Sequence, residues 1–198
     1  MDVQGAGTNT LGTEVMRQLG ERIAEIGTAA PRGLVIRSAK DSGFIAGADI
    51  SEFSGFADVE PAYRLARAGQ QVFDRIESLP MPTVAAIHGF ALGGGLELAL
   101  ACDYRVGADD GRLNLGLPEV MLGVHPGFGG TVRTARLIGV TAALDLMLTG
   151  RSLRGDAAQK LGLVDRLVPR AELDAVAREM VLTAPPRRRA PLTRRLPG

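Results

Sequence analysis

The sequence has few of the features that anchor a protein in a membrane or stabilise it covalently. Its 198 residues include one cysteine, Cys102, so no disulfide can form within the chain, and we expect a reducing, cytoplasmic compartment. No apolar run reaches the roughly 18 residues of a membrane-spanning helix, and no basic segment followed by an apolar one opens the chain. We therefore predict no membrane span and no signal peptide. The net charge of +1 provides no field that would recruit nucleic acid, so no nucleic-acid partner is expected.

The chain is also poor in residues of the common catalytic and metal sites. Histidine occurs only as His88 and His125, with no third ligand near either one, so no metal site is predicted. No Gly-x-Ser-x-Gly motif is present, which argues against a catalytic serine triad. His88 ends an apolar strand pattern and is interpreted as a hydrogen-bonded core residue. Cys102 ends an apolar helix pattern and is interpreted as a small buried hydrophobe.

Hydrophobic residues make up 45% of the chain, and their spacing alternates between helix and strand. Leu11 to Ile26 repeats at helical spacing, with Asn9-Thr10 predicted to cap the start and Gly27 the end. A second long helix is expected between Pro61 and Pro80. The other predicted helices cover 93–101, 130–138, 140–149, 155–161 and 171–182, and the predicted strands cover 34–36, 83–87, 104–106, 113–115 and 163–168.

This alternation predicts the α/β class. The turn Asp109-Asp110-Gly111 is predicted to join the strands on either side of it as a hairpin. We assign one domain to residues 1–183 and a linker rich in proline and arginine to residues 184–198. The charge cluster at 187–189 in that linker is interpreted as solvated.

Glycine contributes 26 residues, about twice its usual share, and it clusters beside apolar runs. Gly93-Gly94-Gly95 is not a phosphate-binding loop, because no Gly-Lys-Ser/Thr follows. Two interpretations remain open. The glycines can allow tight packing of a helix on a strand, or they can expose amides at a helix N-terminus as an oxyanion hole.

Two glutamates favour a catalytic interpretation of this region. Glu97 lies in the first turn of a nearly all-apolar helix, and Glu119 lies in a second apolar segment, 115–123. Glutamate is seldom buried without a functional or pairing reason. Two carboxylates in apolar surroundings can share one water, and burial would raise at least one pKa into the range of general acid–base catalysis.

Three segments, 44–50, 82–98 and 117–131, together resemble the enoyl-CoA hydratase (crotonase) family. They read Phe-Ile-Ala-Gly-Ala-Asp-Ile, Pro-Thr-Val-Ala-Ala-Ile-His-Gly-Phe-Ala-Leu-Gly-Gly-Gly-Leu-Glu-Leu and Leu-Pro-Glu-Val-Met-Leu-Gly-Val-His-Pro-Gly-Phe-Gly-Gly-Thr. The resemblance runs from about Asn9 to Val168. Within the family, residues 123–130 are most similar to the hydratase part of multifunctional fatty-acid oxidation α-subunits. The resemblance implies a crotonase-like spiral of repeated strand–strand–helix units.

The resemblance also implies a site for a coenzyme A thioester, with no separate cofactor. In that site the amides of Ala48 and Gly94 form the oxyanion hole. Glu97 and Glu119 are the catalytic residues that hold a water and move its protons, and the Gly127 amide helps to position that water. The implied substrate-binding residues are Ala46, Gly47, Asp49 and Gly93, with the adenine end of coenzyme A near Ala46.

The activity implied by the family is reversible hydration of 2-trans-enoyl-CoA to 3-hydroxyacyl-CoA in fatty-acid β-oxidation, a lyase reaction. Two alternatives stay open. One is a Δ3-Δ2 enoyl-CoA isomerase, which can use one glutamate, and the other is a truncated, non-catalytic module that binds acyl-CoA. The implied partners are other copies of the chain in a trimer or, in a full-length protein, a thiolase subunit.

The sequence departs from the family at both ends. The family usually has one or two strands before the first helix, where this chain has about eight residues, and further helices after the position of residue 198. We therefore expect a piece of a longer protein. No NAD site is expected within it.

Overall fold

The computed structural model describes residues 1–55 and 58–186 and has a mixed α/β architecture. The α-helices are α1 (Thr13–Ala29), α2 (Val59–Glu77), α3 (Gly94–Ala101), α4 (Gly130–Ile138), α5 (Val140–Thr149), α6 (Gly155–Leu161) and α7 (Leu173–Thr183). The strands are β1 (Leu34–Arg37), β2 (Thr83–Ile87), β3 (Phe90–Leu92), β4 (Tyr104–Ala108), β5 (Asn114–Gly116), β6 (Ser152–Arg154) and β7 (Arg166–Val168). Short 3-10 helices cover Ile50–Gly55, Pro118–Leu122 and Arg170–Glu172.

The strands form two sheets that the chain visits in turn. The larger sheet has the order β1-β2-β4-β7 and is parallel throughout. The smaller sheet has the order β3-β5-β6, with β3 and β5 parallel and β6 antiparallel to β5. The succession β2, β3, α3 is one strand–strand–helix unit, and β4, β5, α4 is the next. This confirms the predicted α/β class and crotonase-like spiral.

The central strands of the larger sheet are buried on both faces. Every residue of β2 and of β4 is buried, as expected for parallel strands covered by helices on each side. Val84 and Ala86 of β2 pack in the cluster formed with α7, whereas Ala85 and Ile87 join the larger core that includes α1, α2 and α3. Alternate side chains of β2 therefore pack against helices on opposite faces of the larger sheet.

The predicted first helix was wrong at both ends. Helix α1 starts after Gly12, and its end is capped by Ala30 in the left-handed region with φ 43°. Asn9 is fully buried before the helix. Its side chain accepts a hydrogen bond from the Val3 amide at 2.9 Å and donates to Ser38 Oγ at 2.9 Å and to the Phe44 carbonyl at 3.1 Å. A side chain that is satisfied by three other segments is not available to cap a helix.

The predicted hairpin was also wrong. The strands on either side of the Asp109-Asp110-Gly111 turn exist, but β4 belongs to the larger sheet and β5 to the smaller one. The Asp109 amide donates to the Val168 carbonyl of β7 at 2.7 Å, and the Asn114 amide donates to the Gly89 carbonyl beside β3 at 2.7 Å, so the chain changes sheets between these two residues. His88 and Cys102 are buried core residues, as expected. Most of the predicted linker, residues 187–198, lies outside the described residues.

We expect Asn9→Ala to lower the free energy of unfolding by about 2–3 kcal/mol, because it leaves buried donors and acceptors without partners. Urea denaturation of both proteins measures the difference. Thr8→Ala is the matched control, since the Thr8 hydroxyl makes only an exposed bond to Ser42 Oγ. An Asn9→Ala protein as stable as the Thr8→Ala protein would contradict the assignment of Asn9 as a buried connector.

Candidate active site

A cavity of about 330 Å³ lies where the N-terminus of α3 meets helix α2 and the 3-10 helix Pro118–Leu122. Its wall is largely apolar. Helix α2 contributes Ala62, Leu65 and Ala66, which lie at helical spacing on one face. The other lining residues are Ala46, Gly47, Ala48, Ile50, Gly93, Gly94, Glu97, Pro118, Glu119, Leu122, Val124, His125, Gly127 and Phe128.

Glu97 is the most deeply buried acidic group of the cavity. It lies in the first turn of α3 and is 2% exposed. Its Oε1 accepts hydrogen bonds from the amides of Phe128 at 2.8 Å and Gly130 at 2.7 Å. Burial raises the pKa of Glu97 to about 7, and the charge of Glu119 adds to the rise, although the two amide bonds and Arg133 oppose it. A carboxyl group with this pKa exchanges protons readily near neutral pH.

Glu119 faces the same cavity from the 3-10 helix. It is half-buried, and within residues 1–55 and 58–186 no hydrogen-bond partner exists for its buried Oε2. Burial raises the pKa of Glu119 above its usual value, against the opposing effects of its own backbone amide and of His125. The structure thus places the two predicted glutamates at one cavity, which the sequence alone could not establish.

The Ala48 N–H points away from the segment that contains Leu11. The Leu11 amide donates to the Gly47 carbonyl at 2.8 Å, and the Asp49 amide donates to the Leu11 carbonyl at 3.3 Å. Because successive peptide groups of an extended segment point in alternate directions, the Ala48 N–H points to the opposite side from Leu11. The Gly94 amide is in the first turn of α3, where helix amides have no intrahelical acceptor.

Glycine brings these two amide-bearing segments together. Gly47 has φ +120°, and a Cβ there would lie 3.2 Å from the Leu92 carbonyl oxygen and 3.9 Å from the Gly94 nitrogen. Gly93 has φ +50°, and a Cβ there would lie 3.1 Å from Glu119 Oε1. Both positions therefore require glycine for conformation and for space. Tight packing therefore occurs at this turn, and the use of its amides as an oxyanion hole stays a prediction.

The remaining predicted site residues separate into two groups. Ala46 and Gly127 line the cavity together with Gly47 and Gly93. Asp49 is adjacent in sequence but does not belong to the described lining. Its carboxylate accepts hydrogen bonds from the amide and hydroxyl of Ser51, which lower the pKa of Asp49. Its role in binding substrate remains a prediction.

Sequence reasoning missed the two amides that hold Glu97. They come from the segment 127–130, whose Gly-Phe-Gly-Gly sequence was the available signal. The Phe128 ring contacts Phe73 edge-on at 5.5 Å between centroids and packs so closely on Gly69 that a Cβ there would lie 2.3 Å from the ring. Phe128 is therefore fixed over the start of α3, and its backbone is fixed with it.

Two further properties concern the described part of the chain. Within it, no group of three or more His, Cys, Asp or Glu side chains is arranged to hold a metal ion. No helix there has the length and hydropathy to cross a membrane.

We expect Glu97→Gln to increase stability at alkaline pH. The pKa of Glu97 is about 7 in the folded protein, against a usual value of 4.5. The folded chain therefore binds more protons than the unfolded chain between these values, and stability falls as pH rises through that window. Relative to the unmodified chain, the variant should raise the free energy of unfolding by roughly 3 kcal/mol at pH 8 and by little at pH 4. Urea denaturation at both pH values tests this, and an equal effect at both would contradict it.

The chain is similar to known proteins over most of its length. Residues 4–187 match the family model described as "Enoyl-CoA hydratase/isomerase". The chain is 52% identical over 170 residues to "Fatty acid oxidation complex subunit alpha" of Aliivibrio fischeri, covering 86% of this chain and 24% of that protein. It is 51% identical over 183 residues to the protein of the same name from Shewanella loihica, covering 92% and 26%. The chain thus spans about a quarter of the length of these relatives.

Solved structures give the same result at the level of the fold. A crystal structure of enoyl-CoA hydratase from Bacillus anthracis has a TM-score of 0.81 and 37% identity, covering 88% of this chain and 67% of that one. An enoyl-CoA hydratase structure from Geobacillus kaustophilus has a TM-score of 0.84 and 36% identity, with coverage of 90% and 67%. The chain belongs to the enoyl-CoA hydratase/isomerase family.

Proposed function

We propose that the chain catalyses the reversible hydration of 2-trans-enoyl-CoA thioesters to 3-hydroxyacyl-CoA in fatty-acid β-oxidation, a carbon–oxygen lyase activity. The observation that carries the proposal is the pairing of Glu97 and Glu119 at one apolar cavity. Hydration needs one group that takes a proton from water and another that delivers a proton to carbon. Two carboxyl groups with raised pKa values meet that need near neutral pH, and their titration belongs to the pair.

In this reaction the water oxygen bonds to C3 of the enoyl group while one glutamate accepts the water proton. The C2=C3 π electrons move toward the thioester carbonyl, so negative charge develops on its oxygen. The amides of Ala48 and Gly94 donate to that oxygen and stabilise the enolate, each by roughly 3–4 kcal/mol. The other glutamate then delivers a proton to C2, and the carbonyl forms again. The pair ends with the same number of protons as it had at the start.

The apolar wall supports the same substrate. Water is held between the carboxylates, with the Gly127 amide as a further donor, while the acyl chain lies against the apolar residues of α2. Backbone at Ala46, Gly47 and Gly93, with Asp49 at the edge, holds the coenzyme A part, and the adenine lies near Ala46. The substrate supplies the coenzyme A, so the proposal includes no resident cofactor.

A Δ3-Δ2 enoyl-CoA isomerase is the second candidate. It is favoured by the buried Oε2 of Glu119, which is free to accept a proton from C2 and return it to C4, two carbons along the chain. Isomerisation moves a proton between C4 and C2 and needs no water, so one carboxylate suffices. The two reactions therefore differ in their need for Glu97.

The partners of the chain are also a proposal. The curated relatives are named as α-subunits of a fatty acid oxidation complex. We propose that this chain works within an assembly of that kind in the cytoplasm, either with other copies of itself as a trimer or, in a longer protein, with a thiolase subunit.

The test is turnover of a short 2-enoyl-CoA, followed by loss of the absorbance of its conjugated thioester. Glu97→Gln and Glu119→Gln should each lower kcat at least about 1,000-fold, because each removes a proton-transfer step and both steps are required. Glu172→Gln, an exposed glutamate in the 3-10 helix Arg170–Glu172, is the control and should keep full activity.

The outcomes separate the alternatives. Near-normal hydration by either cavity variant would contradict the proposed roles. Conversion of a 3-enoyl-CoA that tolerates Glu97→Gln but not Glu119→Gln would select the isomerase. Binding of a saturated acyl-CoA with no turnover of either substrate would select a non-catalytic module.

A further inference from the structure

The first three carbonyl groups of the segment 127–130, which supplies both amides to Glu97, are each held by another residue. The Gly127 carbonyl accepts from Gln70 Nε2 at 2.8 Å, and the Phe128 carbonyl accepts from Arg133 Nη1 at 2.9 Å. The Gly129 carbonyl accepts from the amides of Val132 and Arg133 at 3.2 and 3.1 Å, which is the start of helix α4. The segment is thus fixed from outside the cavity.

The Gln70 contact controls one of the two bonds to Glu97 directly. No cis peptide bond occurs in the described chain, so the Gly127 C=O and the Phe128 N–H belong to one trans peptide group and point in opposite directions. Gln70 holds the oxygen of that group, and Glu97 Oε1 accepts its N–H. Rotation of this peptide group would break both bonds together, so Gln70 resists the loss of the bond to Glu97.

Arg133 holds the next peptide group and joins it to helix α2. It is 7% exposed, and its guanidinium donates to Glu77 Oε2 at 2.9 Å and to Asp74 Oδ1 at 2.6 Å. The side chains of these carboxylates are 47% and 66% exposed, and such exposed partners contribute little stability. The hydrogen bond to the Phe128 carbonyl is therefore the main contact that the buried Arg133 guanidinium provides, and the two ion pairs are weak.

The position of the Arg133 guanidinium also requires glycine in the segment that it contacts. Gly129 has φ +100°, and a Cβ there would lie 2.3 Å from Arg133 Nη1. At Gly130, a Cβ would lie 2.8 Å from Glu97 Oε1. Consecutive glycines therefore let the guanidinium and the carboxylate approach the two sides of one short segment.

We propose that Gln70 and Arg133 are positioning residues that hold the segment 127–130 so that its amides orient the Glu97 carboxylate for proton transfer. The proposal rests on the proposed function, in which Glu97 moves a proton. Neither residue touches the reacting atoms. Gln70 acts through the peptide group that donates the Phe128 N–H to Glu97. Arg133 acts through the Phe128–Gly129 peptide group, which lies between the two donating groups.

The groups around Glu97 determine the sign of the expected pH effect. Glu119 of the 3-10 helix raises the pKa of Glu97, and the amides of Phe128 and Gly130 lower it, as does Arg133 of α4. His125 is the remaining titratable residue of the described cavity lining, and it acts on Glu119. If the amides move away, the pKa of Glu97 rises, so the limb of the pH profile that reports Glu97 moves to higher pH.

The experiment compares Gln70→Met and Arg133→Met with the unmodified chain in hydration of a short 2-enoyl-CoA. We expect kcat to fall about 10–100-fold and KM to stay within about twofold, because orientation is lost while the binding surface stays intact. The limb of the kcat/KM profile that reports Glu97 should move up by about half a pH unit or more. Gln70→Met keeps the charge of the protein, so agreement between the variants shows that the segment is responsible and not the charge of Arg133.

Arg105→Met is the matched control for Arg133→Met. Arg105 is 3% exposed and likewise holds backbone carbonyls, those of Cys102 and Leu163, together with Asp165, but it is not part of the described cavity lining. We expect this control to lower Tm and leave kcat and the pH profile unchanged. If Gln70→Met and Arg133→Met behave in the same way as the control, the proposal is overturned.

A second readout keeps this proposal separate from the proposed function. The pKa of Glu97 can be measured without turnover by NMR of protein carrying ¹³C in the glutamate side-chain carboxyls, with Glu97→Gln identifying the signal. A rise of that pKa in Gln70→Met supports the positioning role even if hydration is absent. An unchanged pKa together with an unchanged kcat, or an unchanged pKa in an inactive chain, overturns it.

Discussion

The candidate site depends on the burial of two carboxyl groups at one apolar cavity. A carboxylate that leaves water without compensation is strongly destabilising, and proteins normally respond by pairing it or by keeping it protonated. Here Glu97 receives two backbone amides, while Glu119 keeps one oxygen without a partner among the described residues. Burial raises the pKa of both carboxyl groups, that of Glu97 to about 7. Such a pair can accept and deliver protons within the same pH range, which is the requirement of water addition to a double bond.

The fold provides this burial through close backbone approach. Parallel strands that are buried on both faces bring the start of α3 under helix α2, and glycines at the contacts remove the side chains that would separate them. A Cβ at Gly95 would lie 2.4 Å from the Ile45 carbonyl oxygen, and one at Gly94 would lie 3.2 Å from the Phe128 ring. The glycine-rich composition is thus a packing requirement around the site. The same packing leaves amides at the cavity surface, where charge develops during the proposed reaction.

The elements that could be predicted from the sequence are those with strong local signals. Strand β2 and helices α4, α5 and α6 have the predicted bounds, because apolar runs end at proline or at glycines such as Gly139 and Gly150. Strands β3 and β6 were missed because three residues are too short to show a period. The start of α1 was misplaced because the buried bonds of Asn9 are made to residues distant in sequence.

The residues of the candidate site also differ in how strong a local sequence signal they have. Glu97 and Glu119 could be identified because a carboxylate within an apolar run is unusual at the level of the sequence. Gln70 and Arg133 gave no such signal, since both lie on helices with many polar residues, and their bonds to the segment 127–130 are tertiary contacts. The residues proposed to act on the substrate thus have local signatures, whereas the residues proposed to hold them in place are visible only in the folded chain.

The most direct measurement of the central claim is the protonation state of the buried pair. Infrared difference spectra between the unmodified chain and Glu97→Gln detect a protonated carboxyl group by its carbonyl stretch. With a pKa of about 7 for Glu97, a band from a protonated carboxyl should be present at pH 6, weaken as the pH rises through 7 and be absent at about pH 9. Absence of this band at pH 6 would show that Glu97 is already ionised there and would contradict the account.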